Sequence, residues 1–309
     1  MTYASLPQLD RPFLTDAGLE TDILFNRGID LPHFASITLL QSDEGRRALE
    51  DYFRGFLDLT ARTGSGLILE SATWRASPDW AGPLGISVEA LDALNRDAIA
   101  MLIRLRDEYA PTPVVVSGCI GPRGDGYDPG RIMSIEEAEA YHSHQAGVLA
   151  SAGPDMLTAI TMTNVPEAVG LTRAARALGA PVAISFTVET DGRLPTGDRL
   201  ADAVKAVDEA TEGYPAYYMI NCAHPDHFAS SLEEDAAWTR RVRGVRANAS
   251  RLSHAELDVM TELDAGDPVE LAALHRALRD RFPNLTVMGG CCGTDLRHVA
   301  AIAKACLQA

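Results

Sequence analysis

Three cysteines in two short segments are the side chains best suited to chemistry. Cys291 and Cys292 are adjacent in the glycine-framed run of residues 289–294, and Cys222 directly follows Asn221. Five cysteines is an odd count in a chain without an evident export signal, so we do not expect a disulfide framework. Three thiolates are natural ligands for Zn²⁺ and leave one coordination position for a substrate, as in catalytic sites. We predict a zinc site at Cys222, Cys291 and Cys292.

Other interpretations of these segments stay open at this point. Adjacent cysteines also occur as small core residues or as a strained vicinal disulfide, but flanking glycines permit the tight turns that would bring both thiols to one ion. Cys222 and His224 have Cys-x-His spacing and form an alternative chelate. We expect His224 and His227 instead to cap the next helix or line a pocket. His254 is a loop candidate for a functional role, and His298 is expected to be structural.

Short apolar runs rich in β-branched residues alternate along the chain with segments of helical period. This alternation is typical of βα units and a parallel sheet. Eight strands are predicted, which is the number that closes a barrel. Their expected bounds are 12–15, 66–69, 114–117, 156–160, 182–186, 217–220, 244–247 and 285–288.

The positions of the reactive residues favour a closed barrel over an open sheet. Asp16, Glu70, the pair Asn221-Cys222 and the pair Cys291-Cys292 all lie at or just after a predicted strand end. In a barrel those ends converge on one face, where barrel enzymes place their chemistry. We therefore predict an α/β protein with a single (β/α)8 TIM barrel domain over residues 1–309.

Three helices between the strands can be predicted from local patterns. Apolar residues from Leu91 to Leu105 recur at steps of three and four, which indicates one buried helical face. Ser134 and Glu137 have the spacing of a capping box, which opens a helix to about Ala150. A last helix is expected over residues 295–307.

The composition limits the classes of molecule that the protein is expected to bind. The formal net charge is -16, with 43 Asp and Glu against 27 Lys and Arg, which argues against nucleic acid and anionic membranes. No apolar run approaches the roughly 18 residues of a membrane span, and the N-terminus lacks the pattern of a secretory signal. We expect a cytoplasmic protein whose partners are small molecules, with a homo-oligomer left open.

The cysteine segments resemble the zinc-dependent homocysteine S-methyltransferase family, which includes betaine-homocysteine methyltransferase and the homocysteine module of cobalamin-dependent methionine synthase. The resemblance covers nearly the whole chain and points to a divergent, bacterial-type member. The motif most specific to this family is Asn-Cys followed later in the chain by Gly-Gly-Cys-Cys-Gly. The matching segments are residues 15–21, 73–77, 121–122, 221–222 and 289–293.

The resemblance implies a barrel, Zn²⁺ held by the three cysteines, and a thiol substrate as the fourth ligand. A free alkyl thiol is mostly protonated at neutral pH, and zinc deprotonates it while leaving sulfur lone pairs for attack on an electrophilic methyl group. Asp16 stands at the first motif aspartate of the family and is a candidate to bind a substrate ammonium group; a turn or cap role is its alternative. Asn221 is also assigned to substrate binding.

Two departures from the family pattern affect the expected substrates. Related enzymes commonly carry a glutamate after strand four that holds the amino group of homocysteine, and residues 158–164 contain no acid. Glu70, at the end of strand two, is predicted to compensate; its alternative is a partner for Arg75 or another cation. Arg75 would repel a cationic donor such as betaine unless Glu70 neutralises it. Trp74 and Trp80 are candidates for an aromatic wall around a methyl cation.

Polar, glycine-rich loops after strands three and five also belong to the expected active face. Arg123, Glu189 and Arg193 in these loops are candidates for holding a charged substrate group or for a private salt-bridge network.

We conclude that the sequence predicts methyl transfer from a small activated donor, favouring an S-methylated sulfonium, to a thiol. Homocysteine is the default acceptor and methionine the product, with Asp16 and Glu70 orienting the substrate. A zinc-dependent hydrolase or lyase on the same barrel, or a non-catalytic zinc-binding protein, are the alternatives.

Overall fold

The computed structural model describes residues 6–307 and contains a closed barrel of eight parallel strands in chain order, from β1 beside β2 round to β8 beside β1. Phe13 pairs with Gly66 on one side and Val287 on the other, which closes the ring. The strands are β1 Phe13–Thr15, β2 Gly66–Glu70, β3 Val114–Ile120, β4 Met156–Met162, β5 Val182–Phe186, β6 Tyr217–Asn221, β7 Val242–Ala247 and β8 Val287–Gly290.

Helices surround the barrel and alternate with its strands. The longer ones are α2 Asp43–Thr63, α3 Val88–Glu108, α4 Ile135–Ser151, α5 Val165–Ala177, α6 Leu200–Thr211, α9 Pro268–Arg281 and α10 Leu296–Leu307. Short helices α1 Leu19–Thr21, α7 Pro225–Phe228 and α8 His254–Asp258 lie in the loops after β1, β6 and β7. Further single turns span Pro7–Leu9, Asp22–Asn26, Pro32–Phe34, Ser36–Gln41, Pro78–Trp80, Ala229–Ser231 and Thr239–Arg241.

The predicted (β/α)8 TIM barrel is confirmed, and all eight strands lie where the sequence placed them. The predicted bounds of β5 agree with the structure, whereas β3 and β4 extend beyond the prediction to Ile120 and Met162. The prediction ended these two strands too early because polar and glycine residues interrupt the apolar pattern near their carboxyl ends. β8 begins two residues later than expected and includes Gly290, so it ends immediately before Cys291.

The helix predictions from local patterns are also confirmed. Ser134 accepts a hydrogen bond from the Glu137 backbone, while the Glu137 side chain accepts one from the Ser134 backbone, so the capping box is complete. Leu91, Leu102 and Leu105 are buried on α3. α10 starts one residue later than predicted.

The hydrophobic core has two parts that together fix the barrel. Most buried side chains lie between the strands and the surrounding helices, and a smaller set that includes Phe13, Ile68 and Met219 fills the barrel interior. Strands buried on both faces are typical of parallel barrels. None of the helices within residues 6–307 has the length and apolar character needed to cross a membrane.

Candidate metal centre

Three cysteine sulfurs meet at the carboxyl end of the barrel. The Sγ atoms of Cys222, Cys291 and Cys292 all lie within 4.8 Å of one another, and no other group of three or more His, Cys, Asp or Glu side chains within residues 6–307 is arranged in this way. Cys222 follows β6, and the adjacent pair follows β8. The barrel therefore brings together side chains that are 69 and 70 positions apart in the chain.

Cys222 is aimed by an unusual backbone conformation. Its φ is 52°, and Thr161, opposite it at the end of β4, has φ 66°. Non-glycine residues in this region cost about 1–3 kcal/mol each and persist only where neighbouring groups hold them. Asn221 provides that restraint: its Oδ1 accepts from the Thr161 backbone at 3.0 Å and from Ser185 Oγ at 2.6 Å, and its Nδ2 donates to Thr161 Oγ1 at 2.9 Å.

The glycines around the cysteine pair have separate steric roles. A Cβ on Gly289 would collide with Thr15 Oγ1, and one on Gly290 would collide with Thr294 Oγ1. Gly293 has φ 79°, which favours glycine. The backbone between them is tied to the barrel by a hydrogen bond of 2.8 Å from Cys291 N to the Ala247 carbonyl. The motif is thus a close-packed turn that presents two consecutive thiols.

The three thiols are electrostatically coupled. Hydrogen bonds from Cys291 and Cys292 hold the pKa of Cys222 well below its ordinary value, despite burial. The same Cys222 sulfur raises the pKa of Cys291 to about 12 and that of Cys292 well above its ordinary value. Ionisation of Cys222 therefore opposes ionisation of Cys291 and Cys292, because like charges so close together repel each other.

The donor set fits Zn²⁺. Three sulfur ligands within reach of one ion are typical of zinc, and a tetrahedral ion with three protein ligands has one position left for substrate or solvent. All five cysteines are free, so the vicinal disulfide alternative is not what the structure contains.

The histidines near Cys222 have other partners. His224 Nδ1 accepts from the Asp226 backbone at 3.3 Å and caps α7, as predicted, so the Cys-x-His chelate does not form. His227 Nε2 lies 2.9 Å from the Arg251 carbonyl. His298 is fully buried and pairs with Asp295, in the structural role expected for it.

Asp16 lines the pocket beside the cysteines but already has two partners. Its Oδ1 accepts from Arg246 at 2.6 Å, and its Oδ2 accepts from Tyr52 Oη at 3.3 Å. Burial raises the pKa of Asp16 to about 6, and the Arg246 charge limits the rise. A role for Asp16 with the substrate ammonium stays a prediction, and the structure adds a role in holding Arg246.

Glu70 is a buried pocket carboxylate with one oxygen that lacks a hydrogen-bond partner within residues 6–307. It is 4% exposed, and its Oε2 is buried without a hydrogen-bond partner in the described part of the chain. Burial raises its pKa, while the Arg246 charge opposes the rise. A buried carboxylate oxygen without a donor is costly, so a cationic group of a ligand would stabilise it.

Arg75 is not paired with Glu70; the cation whose charge acts on Glu70 is Arg246, in line with the alternative of another cation. The Arg75 guanidinium lies 3.4 Å from Asp125 and donates to the His33 carbonyl at 2.7 Å. It lies between two indole rings, 5.0 Å from Trp74 and 4.8 Å from Trp80. The indoles therefore enclose the arginine of the protein itself; Trp74 and Arg75 also line the pocket.

The loops after β3 and β5 lie beside the pocket, and residues 125–127 of the β3 loop line it. Arg123 donates to the Arg131 carbonyl, and Arg193 donates to the Gly197 carbonyl. Glu189 accepts from His254 at 3.2 Å. None of the three is a lining residue of the 440 Å³ cavity that contains the cysteines. Arg123 and Arg193 thus contact backbone carbonyls and Glu189 contacts a histidine, so the three do not form a salt-bridge network with one another. A substrate role for them stays a prediction.

Arg246, Tyr127 and Glu20 are among the cavity residues to which sequence reasoning gave no individual role. Arg246 lies in the buried strand β7, and an arginine in such a strand was the only available signal. Tyr127 comes from a glycine-rich loop, and its hydroxyl lies 3.6 Å from Cys292 Sγ. Glu20 also lines the cavity and accepts from Ser36 at 2.7 Å. The partners of all three are distant in sequence.

Comparison with known proteins gives a consistent result. A family model described as homocysteine S-methyltransferase matches residues 13–306. Homocysteine S-methyltransferase 1 of Arabidopsis thaliana is 22% identical over 94% of this chain and 92% of its own, and selenocysteine Se-methyltransferase of Brassica oleracea var. italica is 24% identical over 94% and 88%. The metallated homocysteine methyltransferase MmuM from Escherichia coli superimposes with a TM-score of 0.74 at 22% identity, covering 97% of this chain and 98% of that one.

Proposed function

The chain belongs to the homocysteine S-methyltransferase family, and from this premise we propose that it transfers a methyl group from a small activated donor to the thiol of homocysteine, giving methionine. The observation that carries the proposal is the meeting of three cysteine sulfurs within 4.8 Å at the wall of a 440 Å³ cavity. A cavity of this volume is in the usual range for small-molecule sites.

We propose Zn²⁺ as the cofactor, held by Cys222, Cys291 and Cys292. When bound, the ion would lower the pKa of the substrate thiol and keep its sulfur nucleophilic toward an electrophilic methyl group. Asn221 serves this site through the backbone, because its three hydrogen bonds hold Thr161 and Cys222 in their strained conformations. We place Asn221 as a positioning residue.

Glu70 is proposed to bind the ammonium group of homocysteine. It is buried in the cavity wall, its Oε2 has no partner among the described residues, and residues 158–164 contain no acid. Asp16 is held by Arg246 and Tyr52, so its contribution is to fix the cation that faces Glu70. Trp74 also lines the cavity, and we propose that it contributes an apolar wall to the substrate site.

The charge of the cavity favours a cationic donor. Seven acidic residues and two arginines line it, and each arginine is paired with one of those acids. The remaining acidic groups create a negative potential that attracts a sulfonium and disfavours an anionic donor. Since Asp125 and two indoles neutralise and cover Arg75, its charge does not oppose such a donor.

The test is methyl transfer itself. Zinc-loaded protein is incubated with homocysteine and, in separate reactions, an S-methylated sulfonium, betaine or a methylated folate, and methionine is measured by mass spectrometry. We expect methionine with the sulfonium, dependent on zinc and abolished by a chelator. Metal-dependent hydrolysis of the donor without a methylated thiol would contradict the proposal and favour the hydrolase alternative.

Glu70→Gln should raise the KM for homocysteine about 10- to 100-fold, because a hydrogen bond to a charged group contributes about 1.5–3 kcal/mol. The KM for 4-mercaptobutyrate, which has no amino group, should change little. Glu20→Gln is the matched control: it removes a charge from the same cavity, but Ser36 already occupies that carboxylate. Equal effects of the two variants on both thiols would show that diffuse cavity charge, not a contact at Glu70, accounts for binding.

A further inference from the structure

Tyr127 reaches across the three sulfurs from the loop between β3 and α4. Its hydroxyl lies 3.6 Å from Cys292 Sγ, within hydrogen-bond distance for sulfur. Its side chain is also close enough to Cys222 and Cys291 for their charges to act on it. Tyr127 also lines the cavity, and neither sequence pattern nor cysteine geometry alone assigns it a role.

The ring of Tyr127 is supported from a second loop. It stacks on His254, with ring centroids 3.8 Å apart and an interplanar angle of 20°. His254 is held in turn, since Nε2 lies 2.6 Å from the Cys222 carbonyl and Nδ1 lies 3.2 Å from Glu189. Loops after β3, β5 and β7 therefore converge on one aromatic pair beside the sulfurs.

Hydrogen bonds also hold the start of the loop that carries Tyr127. Glu167, buried on α5, accepts from the Arg123 backbone at 2.6 Å, lies 3.0 Å from His142 Nε2, and accepts from Asn164 Nδ2 at 3.1 Å. Within the loop, Asp125 Oδ1 accepts from the Tyr127 backbone at 2.8 Å. These contacts restrict the loop, so the position of the hydroxyl is determined by the fold.

A hydroxyl in this position stabilises negative charge on sulfur. Thiolates buried away from water need hydrogen-bond donors, and a tyrosine keeps its proton far above neutral pH in ordinary surroundings. Groups that hydrogen-bond to metal ligands typically account for 10- to 100-fold in metal affinity.

We propose that Tyr127 is a positioning residue of the metal centre, whose hydroxyl donates a hydrogen bond to the Cys292 thiolate and whose ring, stacked on His254, holds that donor over the sulfurs. The inference rests on the proposed zinc site and extends it to a group outside the cysteine motif. Tyr127 is not a zinc ligand in this account.

The experiment measures zinc affinity in the absence of substrates. Wild-type protein and the Tyr127→Phe variant compete for zinc with a chromophoric chelator, so the readout does not depend on methyl transfer. We expect Tyr127→Phe to bind zinc at least about 10-fold more weakly. His254→Ala, which keeps the hydroxyl but removes its support, should show a smaller loss in the same direction.

Tyr141→Phe is the matched control, because it removes another largely buried hydroxyl, which lies 2.8 Å from Ser77 Oγ. It should bind zinc like the wild type. Equal zinc affinities of wild type and Tyr127→Phe would overturn the inference. A tyrosinate absorption band that appears in the wild type on zinc addition, but not in Tyr127→Phe, would also overturn it, because it would show that Tyr127 binds the zinc directly. Failure of the zinc proposal is distinguishable, because the wild type itself would then bind zinc weakly.

Discussion

Cys292→Ser is expected to lose stably bound zinc and, with it, methyl transfer. A serine hydroxyl does not ionise to a good zinc ligand at neutral pH, and two remaining cysteines do not complete the site. Removing a ligand should weaken zinc binding by more than the 10- to 100-fold typical of a group that only supports a ligand. Metal content after dialysis and chelator competition measure the loss, and methionine formation should fall in proportion to bound zinc.

Cys306→Ser is the control for this prediction. Cys306 is also a buried free cysteine, but it lies on α10 and is not part of the sulfur cluster. Its replacement should leave zinc content and turnover of the folded protein unchanged. Retention of zinc and full turnover after replacement of all three cluster cysteines would contradict the proposed centre.

Arg246→Met should destabilise the folded protein by about 3–5 kcal/mol, because removing one partner of a buried ion pair leaves an uncompensated buried charge. Arg246 and Asp16 have side chains that are 7% and 3% exposed and lie 2.6 Å apart. Arg246 also donates to the Gly290 and Ala17 carbonyls, so it connects β7 to the end of β8 and to the loop after β1. Urea unfolding of the metal-free protein measures the change.

The double variant Asp16→Asn with Arg246→Met provides the internal control, since it removes both charges. It should recover part of the lost stability, whereas Arg251→Met, at an exposed ion pair with Asp226, should change stability little. An Arg246→Met variant as stable as the wild type would show that the pair does not support the barrel mouth.

The sequence predicted the site best where chemically reactive residues lie at the ends of predicted strands. Glu70, Asn221 and Gly290 each end a strand, and parallel strands of a barrel end on one face. The cysteines that follow Asn221 and Gly290 therefore had to converge near Glu70. The glycines at 289, 290 and 293 indicated a tight turn, and each has a steric reason in the structure.

The remaining site features depend on contacts that no local pattern specifies. The partner of Arg246 is Asp16, which is 230 residues away, so a charge in β7 had no visible compensation in the sequence. Tyr127 approaches Cys292 across 165 residues. The positive φ angles of Thr161 and Cys222 depend on the side chain of Asn221, which sequence analysis treated as a substrate contact.

X-ray absorption spectroscopy at the zinc edge tests the central claim most directly. We expect the zinc ion to have three sulfur neighbours in the zinc-loaded protein and four after homocysteine is added. The Cys292→Ser variant should not give the three-sulfur spectrum. A zinc environment with fewer than three sulfurs, or one with four protein ligands that homocysteine leaves unchanged, would contradict it.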